Sequence, residues 1–236
     1  MTSENEVVFL FDVDNTLLDN DRVESDLRRY IEGACGVQSR ERYFAIFEEL
    51  RAEFGYADYL GALQRYRIEE MCDPRLLLTM SSFLVDYPFA DRLYPGSLDA
   101  LEHLSAWGTT VILSDGDVVF QPRKIQRSGL WDAVGGRVLI YIHKEQMLAD
   151  VERRYPARHY IMVDDKLRIL TAMKKIWGDR LTTVFPRQGH YGLDPGNAAA
   201  YPPADISIEH IGDLLNYNLS AFLVREKNGV RADMDL

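Results

Sequence analysis

Cysteine is scarce in this chain: Cys35 and Cys72 are the only two among 236 residues. Both fall in helix-like stretches, which favours two buried or half-buried thiols in a reduced compartment over a disulfide. No apolar run approaches the roughly 18 residues needed to cross a membrane, and Met1 to Glu6 is polar and acidic, without a targeting segment. Positive charge is also short, since 27 Lys and Arg against 37 Asp and Glu leave a net charge of -10. A nucleic-acid-binding surface needs the opposite balance to neutralise phosphates, so neither nucleic acid nor membrane is an expected partner. His103, His143, His159, His190 and His210 have no metal-ligand spacing among them. There is no internal repeat and no low-complexity tract. What remains is a cytoplasmic chain, 47% apolar, long enough for one large domain or a domain with an insertion.

What is present is a repeated pattern of short apolar runs, each followed by polar or charged residues. Val7–Phe11 precedes Asp12-Val13-Asp14, Thr110–Leu113 precedes Ser114, Val138–Ile142 precedes Lys144, and Tyr160–Val163 precedes Asp164-Asp165. Strands of this kind alternate with helical stretches to about residue 185, the pattern of an α/β, doubly wound parallel sheet. In such a sheet the carboxyl ends of the strands share one edge, where ligands bind, so these residues are expected to converge.

Between the first two strands the chain spends roughly 75 residues on helices, where a simple crossover unit needs only about 30 in all. The excess reads as an inserted helical domain over residues 19–91, leaving 1–18 and 92–236 as the α/β core. Val23, Leu27, Tyr30, Ile31 and Ala34 share one helical face that stops at Gly36; Tyr43, Phe47, Leu50 and Phe54 share another, from near Ser39 to Gly55. Asp73-Pro74 opens a further helix as cap and first-turn proline. After Tyr94-Pro95-Gly96, Ser97 reads as the cap of the helix carrying Leu98, Leu101 and Leu104. Asp19 and Asp21 read as caps of the first inserted helix. Beyond Phe185, seven Pro and Gly up to Pro203 predict an irregular loop, and Ile206–Leu215 a last strand and helical fragment; Arg225–Leu236 reads as frayed.

Two acids one residue apart directly after an apolar strand, as in Asp12-Val13-Asp14, are costly to place there for stability alone. A carboxylate can attack phosphorus and form an acyl phosphate, splitting one hard displacement into two easier ones, provided the repulsion between anions is cancelled. A divalent metal and Lys144 are the candidates for that cancelling. Asp12 sits where a nucleophile belongs, and Asp14, two residues on, can protonate the leaving group and later deprotonate water. Ser114 offers a hydroxyl to a phosphoryl oxygen, and Lys144 holds that oxygen and orients Asp12. Thr16 reads as support for the motif turn. Arg123 and Lys124 lie on the next helix, within reach of a phosphate or simply at the surface.

At these residues the chain resembles the haloacid dehalogenase-like superfamily. The motifs read Asp12-Val13-Asp14-Asn15-Thr16, Leu113-Ser114-Asp115-Gly116, His143-Lys144-Glu145 and Val163-Asp164-Asp165. The resemblance spans about Val7 to Phe185, and it implies a Rossmann-like core with a helical cap of the first type. It also implies Mg²⁺ held by the Asp12 carboxylate, the Asp14 carbonyl and Asp165, with Asp164 direct or one shell out. Hard oxygen donors suit Mg²⁺ better than zinc. The family's further acid a few residues on is missing, since Arg168 and Ile169 stand there.

The resulting expectation is a Mg²⁺-dependent phosphatase acting on a small phosphorylated metabolite through an aspartyl-phosphate. A phosphomutase on the same core, a dehalogenase and a regulatory module that binds without turnover are the alternatives. A halide leaves without a proton or a metal, so Asp14 and the acidic pair weigh against the dehalogenase. Tyr56, Tyr59, Arg65 and Arg67 either line the substrate face of the cap or pack, and nothing in the sequence excludes a homo-oligomer.

Overall fold

Six strands, β1 (Asn5–Phe11), β2 (Thr109–Asp115), β3 (Val138–Tyr141), β4 (Ala157–Val163), β5 (Leu181–Pro186) and β6 (Ile206–Ile208), form one sheet in the order β3-β2-β1-β4-β5-β6. The computed structural model describes residues 5–70 and 73–217; Cys72, Met1–Glu4 and the stretch from Arg225 to Leu236 lie outside the described residues. Every strand pairing is parallel. The chain steps outward from β1 to β3 and then returns to β4 on the other side of β1. The switch point of this doubly wound sheet, where ligands bind in such folds, is therefore at the end of β1.

Alternation along β1 builds the two layers. Val8 and Leu10 join Leu113, Met162 and Trp177 on one face, while Val7, Phe9 and Phe11 join a cluster on the other that runs into the helices following β1. Those helices are α1 (Asn20–Cys35), α2 (Val37–Phe54), α3 (Tyr59–Glu70) and α4 (Pro74–Asp86). Val23, Leu27 and Ile31 of α1 and Tyr43 and Phe47 of α2 are buried in that cluster, each such side chain contributing about 1.5–3 kcal/mol on leaving water. The aromatic stripes are thus packing. Tyr30 and Phe54, expected on the same faces, are exposed. Gly55 ends α2 in the left-handed conformation, and Asp73 caps α4 through the Arg75 amide at 2.9 Å. α2 begins at Val37, two residues before the expected Ser39.

The core helices are α5 (Ser97–Ser105), α6 (Phe120–Arg127), α7 (Leu130–Ala133), α8 (Leu148–Arg154) and α9 (Leu167–Trp177). Gly96, not Ser97, caps α5; the buried Ser97 hydroxyl instead donates to the Leu17 carbonyl at 2.8 Å, tying α5 to the loop after β1. The Pro- and Gly-rich stretch after β5 is not irregular throughout. It forms α10 (Gly189–Leu193) and α11 (Pro195–Ala200), the latter capped by the Asp194 side chain with proline in its first turn. No helix among the described residues is long and apolar enough to cross a membrane.

Candidate active site

β1 stops at Phe11, yet the Asp12 amide still reaches the Val163 carbonyl at 3.0 Å, so Asp12 leaves the sheet held against β4. The chain then folds on the Val13 carbonyl, which accepts from the amides of Thr16, Leu17 and Leu18. Asn15 takes φ 62°, a left-handed conformation that Asn tolerates better than most residues. Its side chain accepts from the amides of Asn20 and Asp21 at the start of α1. Gly189 packs against it so closely that a Cβ there would lie 2.4 Å from that of Asn15. Thr16 has the expected supporting role: its hydroxyl accepts from the Asp165 amide at 3.1 Å and lies 3.4 Å from Asp12 Oδ2.

The expected residues converge. Lys144, fully buried in a short 3-10 turn over Lys144–Gln146, places Nζ 2.6 Å from Asp12 Oδ1 and 2.7 Å from Asp164 Oδ2. His143, at φ 64°, aims that turn inward, and the Asp115 carboxylate accepts from the Lys144 amide at 2.7 Å. Asp12, Asp164 and Asp165 are buried, with carboxylate oxygens within 4.8 Å of one another. Asp14 is on the same loop but outside that cluster. Its Oδ1 lies 2.6 Å from Lys124 Nζ, and Lys124 also donates to Asn20 Oδ1 at 2.9 Å. Gln121 joins the two halves, donating to Ser114 Oγ at 2.9 Å and lying 3.5 Å from Asp14 Oδ2.

The electrostatics follow from dryness and crowding. Burial pushes the Asp164 carboxyl up to about 6, with the Lys144 ammonium pulling it down and Asp12 adding to the rise. Burial likewise holds Asp165 well above the carboxylate range, with Lys166 opposing. Burial also opposes the charges of Lys144 and Lys166, but the surrounding carboxylates outweigh it and keep both ammonium groups above their ordinary values. Both oxygens of Asp165 are buried without a hydrogen-bond partner. Asp164 differs in that its Oδ1 accepts from the Lys166 amide at 2.8 Å, while its Oδ2 is ion-paired with the Lys144 ammonium at 2.7 Å without a hydrogen bond. Carboxyl oxygens left bare in a dry site fit a hard divalent cation, whose charge would keep them ionised, as Mg²⁺ would.

The model of the haloacid dehalogenase-like hydrolase family matches residues 7–176, which include all four motifs. The chain belongs to that family. A haloacid dehalogenase-like hydrolase from Burkholderia xenovorans LB400 is 69% identical, with 90% of this chain and 99% of that one covered and a TM-score of 0.86. The HAD-hydrolase YfnB from Bacillus subtilis, solved bound to magnesium, is 17% identical over 91% of this chain and all of that one, at a TM-score of 0.61. L-2-haloacid dehalogenase from Xanthobacter autotrophicus is 19% identical over 91% of this chain and 98% of that one, at 0.57. At those lower identities the likeness is one of fold. No curated protein matches the chain.

This hydrolase also places some residues differently from the sequence pattern and holds others that the pattern did not single out. Ser114, expected just past a strand ending at Leu113, lies inside β2, which runs two residues further to Asp115. Lys124, expected within reach of a phosphate or at the surface, is fully buried against Asp14. Lys166, half-buried beside the acidic pair, had one signal in the sequence: a cation directly after Asp164-Asp165. Gln121 and Asn20 had none, because their partners lie 7 to 107 and 104 residues away. Asp19 caps α1, but Asp21 instead pairs with His190, its Oδ1 2.6 Å from the ring Nδ1. Arg168, where a further acid was missing, binds Glu145 at 2.8 Å. Tyr56 and Tyr59 line the cavity beside Asp14, while Arg65 pairs with Glu49 and Glu69 and Arg67 is exposed.

Proposed function

We propose that this hydrolase is a phosphomonoesterase that works through an aspartyl-phosphate on a small phosphorylated metabolite. The observation that carries the reading is Asp12: a buried carboxylate at the switch point, oriented by Lys144 at 2.6 Å, with a second acid two residues on whose side chain is held separately by Lys124.

In the first half-reaction an Asp12 oxygen forms a bond to phosphorus as the P–O bond to the leaving alcohol breaks. Asp14 gives its proton to the departing oxygen. In the second, Asp14 takes a proton from water, whose oxygen displaces Asp12 from phosphorus, and phosphate leaves with Asp12 restored. Lys144 stabilises the oxygens on which charge collects, and Ser114, its hydroxyl held by Gln121, donates to one of them. Asp12, Asp165, the Asp14 carbonyl and Asp164 are the groups to hold Mg²⁺, which when bound offsets the repulsion between the carboxylates and the phosphoryl group. The two unpartnered Asp165 oxygens favour that residue as a direct ligand over Asp164, which has one oxygen hydrogen-bonded to the Lys166 amide and the other ion-paired with Lys144. The helices between β1 and β2 act as the cap, excluding water from the transfer.

Dehalogenation would leave Asp14 and the acidic cluster without a task, since halide departs unprotonated. The test is phosphate release from a panel of small phosphomonoesters with Mg²⁺, with EDTA, and with Asp12→Asn. Turnover needing both Mg²⁺ and Asp12 supports the reading; release of halide from haloacids with no phosphate from any ester contradicts it.

A further inference from the structure

A cavity of about 340 Å³ opens beside Asp14, at the small end of the range for ligand pockets. Four cations line it: Lys124, Lys166, Arg168 and Arg51. Two are paired with carboxylates already described, Lys124 with Asp14 and Arg168 with Glu145, and Lys166 stands directly after the Asp164-Asp165 pair proposed to hold the metal. Arg51 differs. Its one ion-pair partner among the described residues is Glu48, 3.5 Å away and itself 55% exposed, a contact that solvent screens. Its other guanidinium nitrogen donates to the Tyr191 hydroxyl, a neutral acceptor.

Arg51 and Tyr191 reach the cavity from opposite sides. Arg51 is in the last turn of α2, and Gly55, which ends that helix, sits so near His143 that a Cβ there would lie 2.7 Å from the ring. The end of α2 is thereby pressed against the turn carrying Lys144. Tyr191 is on α10, after β5, with Lys166 Nζ 5.3 Å from its ring centroid and its carbonyl accepting from Asn197 at 3.1 Å. A phenol fixed between two cations, one of them without a buried counter-charge, makes that wall of the cavity positive, the carboxylates of its lining being Asp14 and Asp115. The phosphoryl end has its own partners in Lys144 and Ser114.

We propose that Arg51, held by Tyr191, is a second anion subsite, and that the substrate is a compact phosphomonoester bearing a second anionic group, carboxylate or phosphate. This rests on the phosphomonoesterase reading and adds the substrate class. The guanidinium fork suits either anion, which would add charge-assisted hydrogen bonds to a half-buried donor.

Three probes share a two-carbon frame and differ at the distal group: ethyl phosphate, phosphoglycolate and ethanediol bisphosphate. Their binding to the full-length Asp12→Asn protein with Mg²⁺ is measured by calorimetry, so that no turnover is required. One of the two probes with an anionic distal group is expected to bind about 10- to 100-fold tighter than ethyl phosphate, the range of one charged hydrogen-bond set. Adding Arg51→Met should collapse that ratio to within about 3-fold, and Tyr191→Phe should lower it part-way. Whichever probe gains most names the group. Equal binding of all three, no binding of any, or an Arg51→Met loss equal for all three overturns the proposal. Turnover of ethyl phosphate by the unsubstituted protein reports on the hydrolase reading separately.

Discussion

The Lys144 ammonium lies 2.6 Å from the Asp12 carboxylate, and neither side chain is more than 4% exposed. Lys144 is also the only link from that carboxylate to Asp164 among the ion pairs of the described residues. Removing it leaves a group of buried acids without their principal counter-charge. Breaking such a pair from one side costs about 3–5 kcal/mol, far more than an exposed pair. Lys144→Met should therefore lower the unfolding free energy read from urea melts by that amount and abolish activity. Asp12→Asn in the Lys144→Met background should restore part of the stability and none of the activity. A single variant as stable as the parent would contradict the account of this pair.

Asp165 makes the opposite prediction. Its two bare, buried oxygens are a burden until something binds them. In EDTA, Asp165→Asn should melt at the same temperature as the parent or higher, by up to about 2 kcal/mol in stability. Mg²⁺ should raise the melting temperature of the parent and leave that of the variant almost unmoved. A parent that is indifferent to Mg²⁺ would remove the metal from this reading.

Asp14 acts, in this mechanism, on the proton of the leaving group. Asp14→Asn should therefore lower kcat/KM for an alkyl phosphate by about 10²- to 10⁴-fold and spare p-nitrophenyl phosphate, whose leaving group needs little protonation. Equal losses on both esters would assign Asp14 to binding. Lys124, which holds Asp14 at 2.6 Å, should show the same asymmetry, weaker, as Lys124→Met.

Away from the site, Asp26 of α1 provides a pH test. Burial raises its carboxyl, but the Tyr87 hydroxyl at 2.5 Å, Arg92 at 2.8 Å and Arg29 outweigh that and bring it down to about 2 from 3.8. A pKa lowered on folding gives stability that is present above 3.8 and lost as pH falls through about 2. Asp26→Asn should thus destabilise the protein at pH 5 to 7 and converge on the parent near pH 2, read from melts across that range. A difference constant with pH would place its role in packing alone.

Much of this molecule is legible in its residues. Apolar runs such as Val7–Phe11 and Tyr160–Val163 mark strands because a parallel sheet covered on both faces needs unbroken apolar stretches, and the polar residues that end them meet at one edge. Asp12, Ser114, Lys144, Asp164 and Asp165 converge for that reason. What the order of residues does not carry is pairing at a distance. Lys124 is a lysine on an amphipathic helix until Asp14, 110 positions earlier, is packed beneath it. Arg51 likewise faces Tyr191 only because α2 closes against the core 140 positions away. The glycines and prolines after Phe185 conceal two short helices because each residue breaks a long helix but permits a turn or two, Pro195 at a first turn and Gly189 against Asn15.

The account stands most directly on the covalent step at Asp12. Protein mixed with Mg²⁺ and a phosphomonoester that it turns over, quenched in acid within the first turnovers and digested, should yield the peptide containing Asp12 with one added phosphoryl group. That peptide should be unmodified in Asp12→Asn. Phosphate release without any acyl-phosphate on that peptide, at times when turnover is under way, would mean that water attacks phosphorus directly and that Asp12 is not the nucleophile.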